Sequence, residues 1–316
     1  MSDRLTYILR RLIGALLVVF AVSTLVFVVV RAVPGDPVES ILGELANPAD
    51  KQQLRECLRL DQPLSAQFGL YLRDVADLSL GRLCDNPDIT VSDRLVEALP
   101  HTVLLALVSV VFALMLSIPL GVMAALKQGG PIDLMALTVA LLGVSIPSFW
   151  MGPMLLILFT VFLRAFPDPG SGVVGLTSLI LPAITLGTAL SAKLTRMTRA
   201  SMLEVLSADY VRTAHSKGLR RRVVIYKHAL RNALIPVVTV VGLQFGALLS
   251  GAIIVEKIFA RPGLGSLLLG AIERRSYMEV QGCVLVIATC YVLVNLLTDL
   301  VYTVVDPRIQ LEGDQS

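Results

Sequence analysis

Few residues in this chain have the types and spacing that catalysis or metal binding requires. The three histidines are His101, His215 and His228, and none lies at metal-ligand spacing from a Cys, Asp or Glu. No stretch matches the Gly-x-x-x-x-Gly-Lys-Ser/Thr loop that holds nucleotide phosphates, since Lys217-Gly218 has the reverse order. We therefore predict no catalytic residue, no metal site, no cofactor and no nucleotide hydrolysis by the chain itself.

The four cysteines fall into two pairs with different surroundings. Cys57 and Cys84 lie in one polar segment, where an oxidising compartment would allow a disulfide that closes a loop of about 27 residues. Two free thiols are an equally weighted alternative, because spacing alone does not establish disulfide geometry. Cys283 and Cys290 lie within an apolar run, and we expect them to be small packing residues.

The chain contains long runs without Asp, Glu, Lys or Arg, and the elements that these runs form must position any functional residues. About 20 apolar residues cross the roughly 30 Å hydrocarbon layer, so each of these runs is long enough or nearly so. The chain is 55% hydrophobic and 16% charged, which predicts an all-α, multi-pass protein of the inner or plasma membrane. The first run is too long for a signal-peptide core and is interpreted as a retained span. The runs are residues 12–30, 98–126, 134–163, 169–192, 232–255 and 280–298.

The distribution of Lys and Arg predicts the topology. Residues 193–231 hold ten basic residues against Glu204 and Asp209, whereas residues 31–96 hold seven basic and eleven acidic residues. Because basic loops stay in the cytoplasm, we place the N-terminus and residues 193–231 inside and residues 31–96 outside. The run 134–163 then counts once, as one long helix kinked near Ile146-Pro147, which gives six spans and two cytoplasmic termini.

Two rival functions for such a protein need polar groups inside the spans. A proton-coupled secondary transporter requires a buried acid or His relay, and Asp299 is the one carboxylate near membrane depth. Asp299 also fits a structural role, pairing with a cation at the inner face. A membrane-embedded enzyme requires a nucleophile or a metal cluster within the spans, and the sequence shows neither.

The basic segment contains a short predicted helix over residues 208–217. Ser207 can cap its first turn, and Gly218 can adopt the left-handed conformation that ends it. Its weakly apolar face consists of Leu206, Tyr210 and Ala214. Such a helix can dock into a groove on another protein, or it can lie on anionic lipid beside Arg220-Arg221-Arg222. The periodicity alone does not decide between the two.

A family resemblance distinguishes these alternatives. Residues 209–214, Lys217-Gly218 and residues 228–236 resemble the EAA loop of permease subunits of ATP-binding-cassette importers, in particular the dipeptide/oligopeptide permease B family. The resemblance extends along nearly the whole chain. Further similar motifs are Pro34-Gly35-Asp36-Pro37, Leu60-Asp61-Gln62-Pro63, Ser145-Ile146-Pro147-Ser148-Phe149-Trp150, Leu181-Pro182-Ala183-Ile184, residues 255–265, Asn295-Leu296-Leu297 and Asp306-Pro307-Arg308-Ile309.

The resemblance implies a type I importer architecture. It assigns a MetI-like transmembrane core with a coupling loop at about 200–231, preceded by one extra N-terminal helix. The divisions it implies are residues 1–30 for the cytoplasmic end and first span, 31–96 for the outer segment, 97–305 for the core and 306–316 for a cytoplasmic tail. Two departures stand out: His215 replaces the usual Arg, and the outer loop at 166–173 lacks the long insertion of some dipeptide permeases.

The resemblance also implies function and partners. The chain would pair with a homologous permease and form a pathway for peptides from an extracytoplasmic binding protein, with nickel chelate, glutathione or another small solute as alternatives. Two P-loop ATPase subunits would bind the ATP and Mg; membrane lipid is the other implied contact, and nucleic acid is not implied. The coupling-helix residues are Asp209, Tyr210, Thr213, Ala214, Lys217 and Gly218. Polar residues of spans four and five are pathway candidates, although Thr and Ser often bond their own helix backbone: Thr185, Thr188, Gln244 and Ser250.

Overall fold

The computed structural model describes residues 2–171 and 175–305, with side chains from residue 9 to residue 298. Within these residues the regular elements are helical, apart from an isolated bridge between Arg82 and Thr90. The helices are α1 (Ser2–Ala32), α2 (Pro37–Leu42), α3 (Pro48–Cys57), α4 (Leu64–Ala76), α5 (Val91–Leu126), α6 (Pro131–Ser145), α7 (Ser148–Leu156), α8 (Thr177–Leu206), α9 (Asp209–Ser216), α10 (Arg221–Val223), α11 (Leu230–Ile258), α12 (Leu264–Glu273) and α13 (Tyr277–Val305). Two π-helical segments, Ile157–Phe162 and Val224–Ala229, follow α7 and precede α11.

Five stretches of helix in the described residues are long and apolar enough to cross a membrane. A sixth span exists if α6 and the helix beginning at Ser148 are counted as one. The predicted all-helical, polytopic fold is therefore confirmed. The five stretches are Leu9–Ala32, Val91–Leu126, Thr177–Leu206, Arg221–Ile258 and Tyr277–Thr298.

The third apolar run is broken far more sharply than a kink. We expected one long helix, but α6 and the helix Ser148–Phe162 are bent by 99°. Ile146 is extended, with φ −86° and ψ 116°, because the residue before a proline avoids the helical region. Pro147 is also extended and occupies the N-terminal capping position directly before the next helix. The position of the break was predicted correctly, and the single kinked helix was wrong.

The chain divides into two compact units, and the first comprises residues up to Val103 together with Ala260–Leu293. In this unit α4 packs on α1 through Phe27, whose ring centroid lies 5.0 Å from that of Phe68 and 5.6 Å from that of Tyr71. Ser23 donates a hydrogen bond of 3.0 Å to the Tyr71 hydroxyl, and burial raises the pKa of Tyr71. These contacts attach the first span, α1, to the polar segment that contains α4.

A disulfide joins Cys57, the last residue of α3, to Cys84 in the loop before α5. Elsewhere in the first unit, the backbone N–H of Leu264 donates to the Thr102 hydroxyl at 2.8 Å, which attaches the start of α12 to α5. Cys283 is buried and Cys290 half-buried, and both are free thiols, which agrees with the packing role that the sequence predicted for them.

The second unit comprises Leu104–Phe259 and the chain from Val294 onward. Its central element is α8, which packs against α6, α7 and α11. Small residues allow close approach between these helices. A Cβ atom added to Gly187 of α8 would lie 2.7 Å from the Ser109 carbonyl oxygen of α5, and one added to Gly143 of α6 would lie 3.2 Å from Thr188 Cγ2.

Candidate functional site

The short helix of the basic segment is present as α9, one residue shorter at each end than predicted. Gly218 has φ +73° and donates its N–H to the His215 carbonyl at 2.9 Å, so the expected left-handed ending is observed. The predicted cap at Ser207 is wrong. Ser207 continues the last turn of α8, and its hydroxyl donates back to the Glu204 carbonyl at 2.7 Å. Ala208, which has no side-chain acceptor, occupies the capping position.

The inner face of α9 is fixed to its own chain. Val211 is 2% exposed and Ala214 is 7% exposed, and both pack against the fully buried Val224 and against Val205. Val211 and Ala214 therefore define the inward face of α9. From the sequence we had assigned Ala214 to an outward docking face, together with Leu206 and Tyr210. That assignment was wrong for Ala214, because the π-helical segment beginning at Val224 covers this side of the helix.

The opposite side of α9 carries the other predicted coupling residues. We name this the α9 surface, and it consists of Asp209, Tyr210 and Thr213 of the helix with Lys217 and Gly218 directly after its end; all five residues are exposed. Asn232 of α11 donates a hydrogen bond of 2.8 Å to the Tyr210 hydroxyl, which ties the exposed face to the following span. The ion pair between Arg212 and Asp209 is 3.7 Å long and fully in solvent, so it contributes little.

An exposed apolar patch with a basic rim lies immediately after the α9 surface in the chain. Leu219 is 39% exposed, Val223 is 38% exposed and Tyr226 is 60% exposed. Arg220-Arg221-Arg222 lies between the first two, and all three arginines are exposed. Apolar patches rimmed by polar residues mark sites of protein or membrane contact. The geometry thus suits contact with a partner along residues 209–226.

An ion pair that the sequence did not predict links α6 to α8. Arg199 Nε donates to Asp133 Oδ1 at 2.6 Å, and Nη2 donates to Oδ2 at 2.7 Å. The backbone N–H of Gly129 also donates to Oδ2, at 2.9 Å. The Asp133 side chain is 5% exposed, so this bidentate pair is both strong and specific. The sequence offered one signal for this pair, namely that the acidic residue Asp133 stands directly before an apolar run.

A cavity of about 210 Å³ lies in the second unit where α6, α7, α8 and α11 meet. Thr185 and Gln244 line it, together with Ser148 at the break after Pro147. The Thr185 hydroxyl donates to the Leu181 carbonyl at 2.8 Å, so its hydrogen bond is made within α8. Gln244 has no hydrogen-bond partner among the described side chains, which leaves its amide as a polar group for the cavity.

The other two pathway candidates lie elsewhere. Thr188 packs against Gly143 of α6, and its hydroxyl donates to the Ile184 carbonyl at 2.5 Å. Ser250 is exposed on α11 and does not line the cavity. The side chain of Asp299, the Asp306-Pro307-Arg308-Ile309 motif and part of the outer loop lie outside the described residues. Among the described residues, no group of three His, Cys, Asp or Glu could hold a metal ion.

Comparison with known protein families identifies the family to which the chain belongs. Residues 117–311 match the family described as binding-protein-dependent transport system inner membrane component. Residues 4–106 match the N-terminal region of such membrane components. The chain belongs to this family.

Individual relatives match the permease along nearly its full length. The dipeptide transport system permease protein DppB of Alkalihalophilus pseudofirmus is 40% identical over 334 residues, and that of Escherichia coli K12 is 42% identical over 336 residues. The glutathione transport system permease protein GsiC of Escherichia coli O6:H1 is 40% identical over 308 residues. Each alignment covers 97% of this chain and 99% of the relative.

Membership of the family settles the general function. The permease is a multi-pass inner-membrane subunit of an ATP-binding-cassette importer that depends on an ATPase and a binding protein. It is not itself catalytic and carries no cofactor of its own, which confirms both predictions. The secondary transporter and the membrane-embedded enzyme are excluded as functions of this chain.

Proposed function

We propose that the permease imports short peptides, glutathione among them, delivered by an extracytoplasmic binding protein. The named dipeptide and glutathione relatives support this substrate class, because they are similar to the permease from end to end. Glutathione is itself a short peptide, so one pathway of modest selectivity serves both. The partners in this proposal are a homologous permease, which completes the pathway, and two P-loop ATPase subunits.

The lengths of the alignments support placing glutathione in the substrate class. The glutathione permease aligns over 308 residues, close to the length of this chain that it covers. The dipeptide permeases align over 334 and 336 residues at the same coverage, so they contain residues that this chain lacks. Over the aligned region the permease is thus closer in length to its glutathione relative than to its dipeptide relatives.

The observation that carries the mechanism is the two-sided character of α9. Val211 and Ala214 hold the helix to its own chain, while Asp209, Tyr210 and Thr213 face outward. An ATPase subunit that grips the outer side therefore moves the helix as a rigid body. Because α8 ends two residues before α9 and the Tyr210 hydroxyl is bonded to α11, this movement reaches two spans directly.

The ion pair between Asp133 and Arg199 extends this movement to a third helix. Arg199 lies on α8, seven residues before its end, and Asp133 lies in the first turn of α6. A shift of the inner end of α8 therefore carries the start of α6 with it. The other end of α6 is the break at Ile146-Pro147, which borders the cavity that Thr185 and Gln244 line. In this proposal, ATPase motion opens and closes that cavity.

The pathway in this proposal is weakly selective. Of the four candidates, Thr185 and Thr188 use their hydroxyls within α8, which leaves the Gln244 amide as the candidate group at the cavity, together with the hydroxyl of Ser148. Neutral polar groups of this kind recognise features that all peptides share and do not select by side-chain identity. Selection among peptides therefore belongs to the binding protein.

Uptake into proteoliposomes tests the proposed function. The permease, its homologous partner, both ATPase subunits and the binding protein are reconstituted together, and uptake of radiolabelled dialanine and glutathione is followed. We expect uptake to require ATP inside the vesicles, to stop with vanadate and to survive a proton uncoupler. Uptake of nickel chelate in place of both peptides would contradict the substrate assignment while leaving the transport class intact.

A further inference from the structure

The exposed patch that follows the α9 surface in the chain has no part in the proposed coupling. It lies on residues 219–227, where α10 continues into the π-helical segment Val224–Ala229 and then into α11 as one long helix. We name it the basic patch. It combines four positive charges with three apolar or aromatic groups. Its exposed side chains are Leu219, Arg220, Arg221, Arg222, Val223, Tyr226 and Lys227.

The other side of the same segment packs against the permease itself. Val224 is fully buried and packs against α9, while Ile225 and Ala229 belong to a buried cluster with residues of α5 and α8. These contacts determine which side of the segment faces inward. The basic patch therefore has a fixed outward orientation, and its charged and apolar groups are presented together.

The positive charge of the basic patch is not compensated by neighbouring acids. Residues 210–255 of the sequence contain no Asp or Glu. The side chains of Arg220-Arg221-Arg222 and of Lys227 form no ion pair with any side chain that the structure describes. Guanidinium groups bind phosphate oxygens through paired, charge-assisted hydrogen bonds. A phosphate group is therefore the chemistry that complements this surface.

The position of the basic patch along its helix places it at the membrane surface. The helix Arg221–Ile258 has 38 residues and is about 57 Å long, whereas the hydrocarbon layer is roughly 30 Å thick. Its charge-free part, residues 232–255, accounts for about 36 Å of that length. The turns before Arg231 therefore lie at and just beyond the headgroups, within reach of long basic side chains. Tyr226 is a residue type that is enriched at this level, and the excess of Lys and Arg makes this end of the helix cytoplasmic.

We propose that the basic patch binds the headgroups of anionic phospholipids in the cytoplasmic leaflet. The three arginines bind the lipid phosphates, while Leu219, Val223 and Tyr226 contact the apolar part of the lipid next to the headgroup. Basic clusters directly on the cytoplasmic side of a span are typical of anionic lipid binding. The α9 surface is left for the ATPase subunit, and the bound lipid lies beside α9 because Val224 packs against that helix. The inference does not depend on which substrate the permease imports.

Native mass spectrometry of the purified permease–ATPase complex tests the basic patch directly. Phosphatidylglycerol and phosphatidylcholine with identical acyl chains are added in equal amounts, and the lipids that remain bound are counted. We expect phosphatidylglycerol to be preferred, and the triple variant Arg220→Gln/Arg221→Gln/Arg222→Gln to weaken its binding by about tenfold or more, since each basic residue adds to the attraction. The difference between the two complexes separates the patch from lipid sites on the other subunits.

Two control variants separate the effect of charge at this position from a general loss of charge. The variant Arg220→Lys/Arg221→Lys/Arg222→Lys keeps the positive charge and should retain the preference for phosphatidylglycerol. A second triple variant removes three exposed arginines of the first unit and should leave phosphatidylglycerol binding unchanged: Arg73→Gln/Arg82→Gln/Arg275→Gln.

Competition on the unsubstituted complex tests the lipid assignment even if the triple glutamine variant does not assemble. Glycerol phosphate carries the phosphate but no acyl chains, so we expect it to displace phosphatidylglycerol poorly. Displacement at equal concentrations would show a site for free phosphates and overturn the proposal. Equal binding of the two lipids, or phosphatidylglycerol binding that the triple glutamine variant leaves unchanged, also overturns it. Loss of the ATPase subunits from that variant with lipid binding retained would assign the basic patch to the ATPase instead.

Discussion

Arg199 and Asp133, separated by 66 residues in the chain, are joined by two hydrogen bonds of 2.6 Å and 2.7 Å. The pair links the helix that leads into α9 with the helix that ends at the Ile146-Pro147 break. The Arg199 and Asp133 side chains are 23% and 5% exposed, whereas the Arg212 and Asp209 side chains of the pair on α9 are 77% and 98% exposed. We therefore regard Asp133 and Arg199 as a strut that transmits motion.

Replacing one residue of this ion pair should lower the stability of the permease more than replacing both. Asp133→Asn leaves the Arg199 charge half-buried without a counterion, which in buried pairs costs about 3–5 kcal/mol and here costs less, because Arg199 is 23% exposed. We expect a lower thermal unfolding midpoint for Asp133→Asn than for the double variant Asp133→Asn/Arg199→Gln. Uptake should be impaired in both, since both break the link. Equal stability of the single and double variants, or full uptake by either, would contradict this role.

Gly218 should tolerate asparagine but not proline. Its φ of +73° suits Gly and, at modest cost, Asn, whereas proline fixes φ near −65° and removes the N–H that bonds to His215. We expect Gly218→Pro to reach the membrane at near-normal levels and to abolish uptake, while Gly218→Asn retains most of it. Immunoblots of membranes and uptake by the same vesicles provide the measurement. Retained uptake in Gly218→Pro would show that the end of α9 does not matter for coupling.

The Cys57–Cys84 disulfide should protect both sulfurs from alkylation in intact cells. A membrane-impermeant maleimide should label these positions only after a reductant is added, because a disulfide has no free thiolate. Variants in which Cys283 and Cys290 are replaced by alanine remove the background from the free thiols. Labelling without reduction would show two free thiols, and labelling only from the cytoplasmic side would overturn the topology.

The sequence predicted those features that depend on neighbouring residues. The break at Ile146-Pro147 and the left-handed Gly218 follow from the local preferences of proline and glycine. The 99° bend at Ile146-Pro147 was not predictable, because it depends on how α6 and α7 pack against α8. A proline within an apolar run indicates a kinked helix and two separate helices equally well.

Features that depend on distant residues were missed or misassigned. The inward face of α9 is set by Val224, in a π-helical segment that hydrophobic periodicity does not reveal. The periodicity of Leu206, Tyr210 and Ala214 therefore indicated the wrong side for Ala214. The partner of Asp133 lies 66 residues away, and nothing in one sequence selects Arg199 from the ten basic residues of its segment.

Site-directed cross-linking of α9 tests the central claim, that its exposed side couples the permease to an ATPase subunit. Thr213→Cys places a thiol on the α9 surface, and Ala214→Cys places one on the buried side of the same turn. The transporter without either substitution reports the background from native cysteines. We predict that a short bifunctional maleimide joins Thr213→Cys to the ATPase subunit, with a yield that changes on ATP binding, and leaves Ala214→Cys unjoined. Equal yields from both positions, or none from Thr213→Cys in a complex that still transports, would contradict the account.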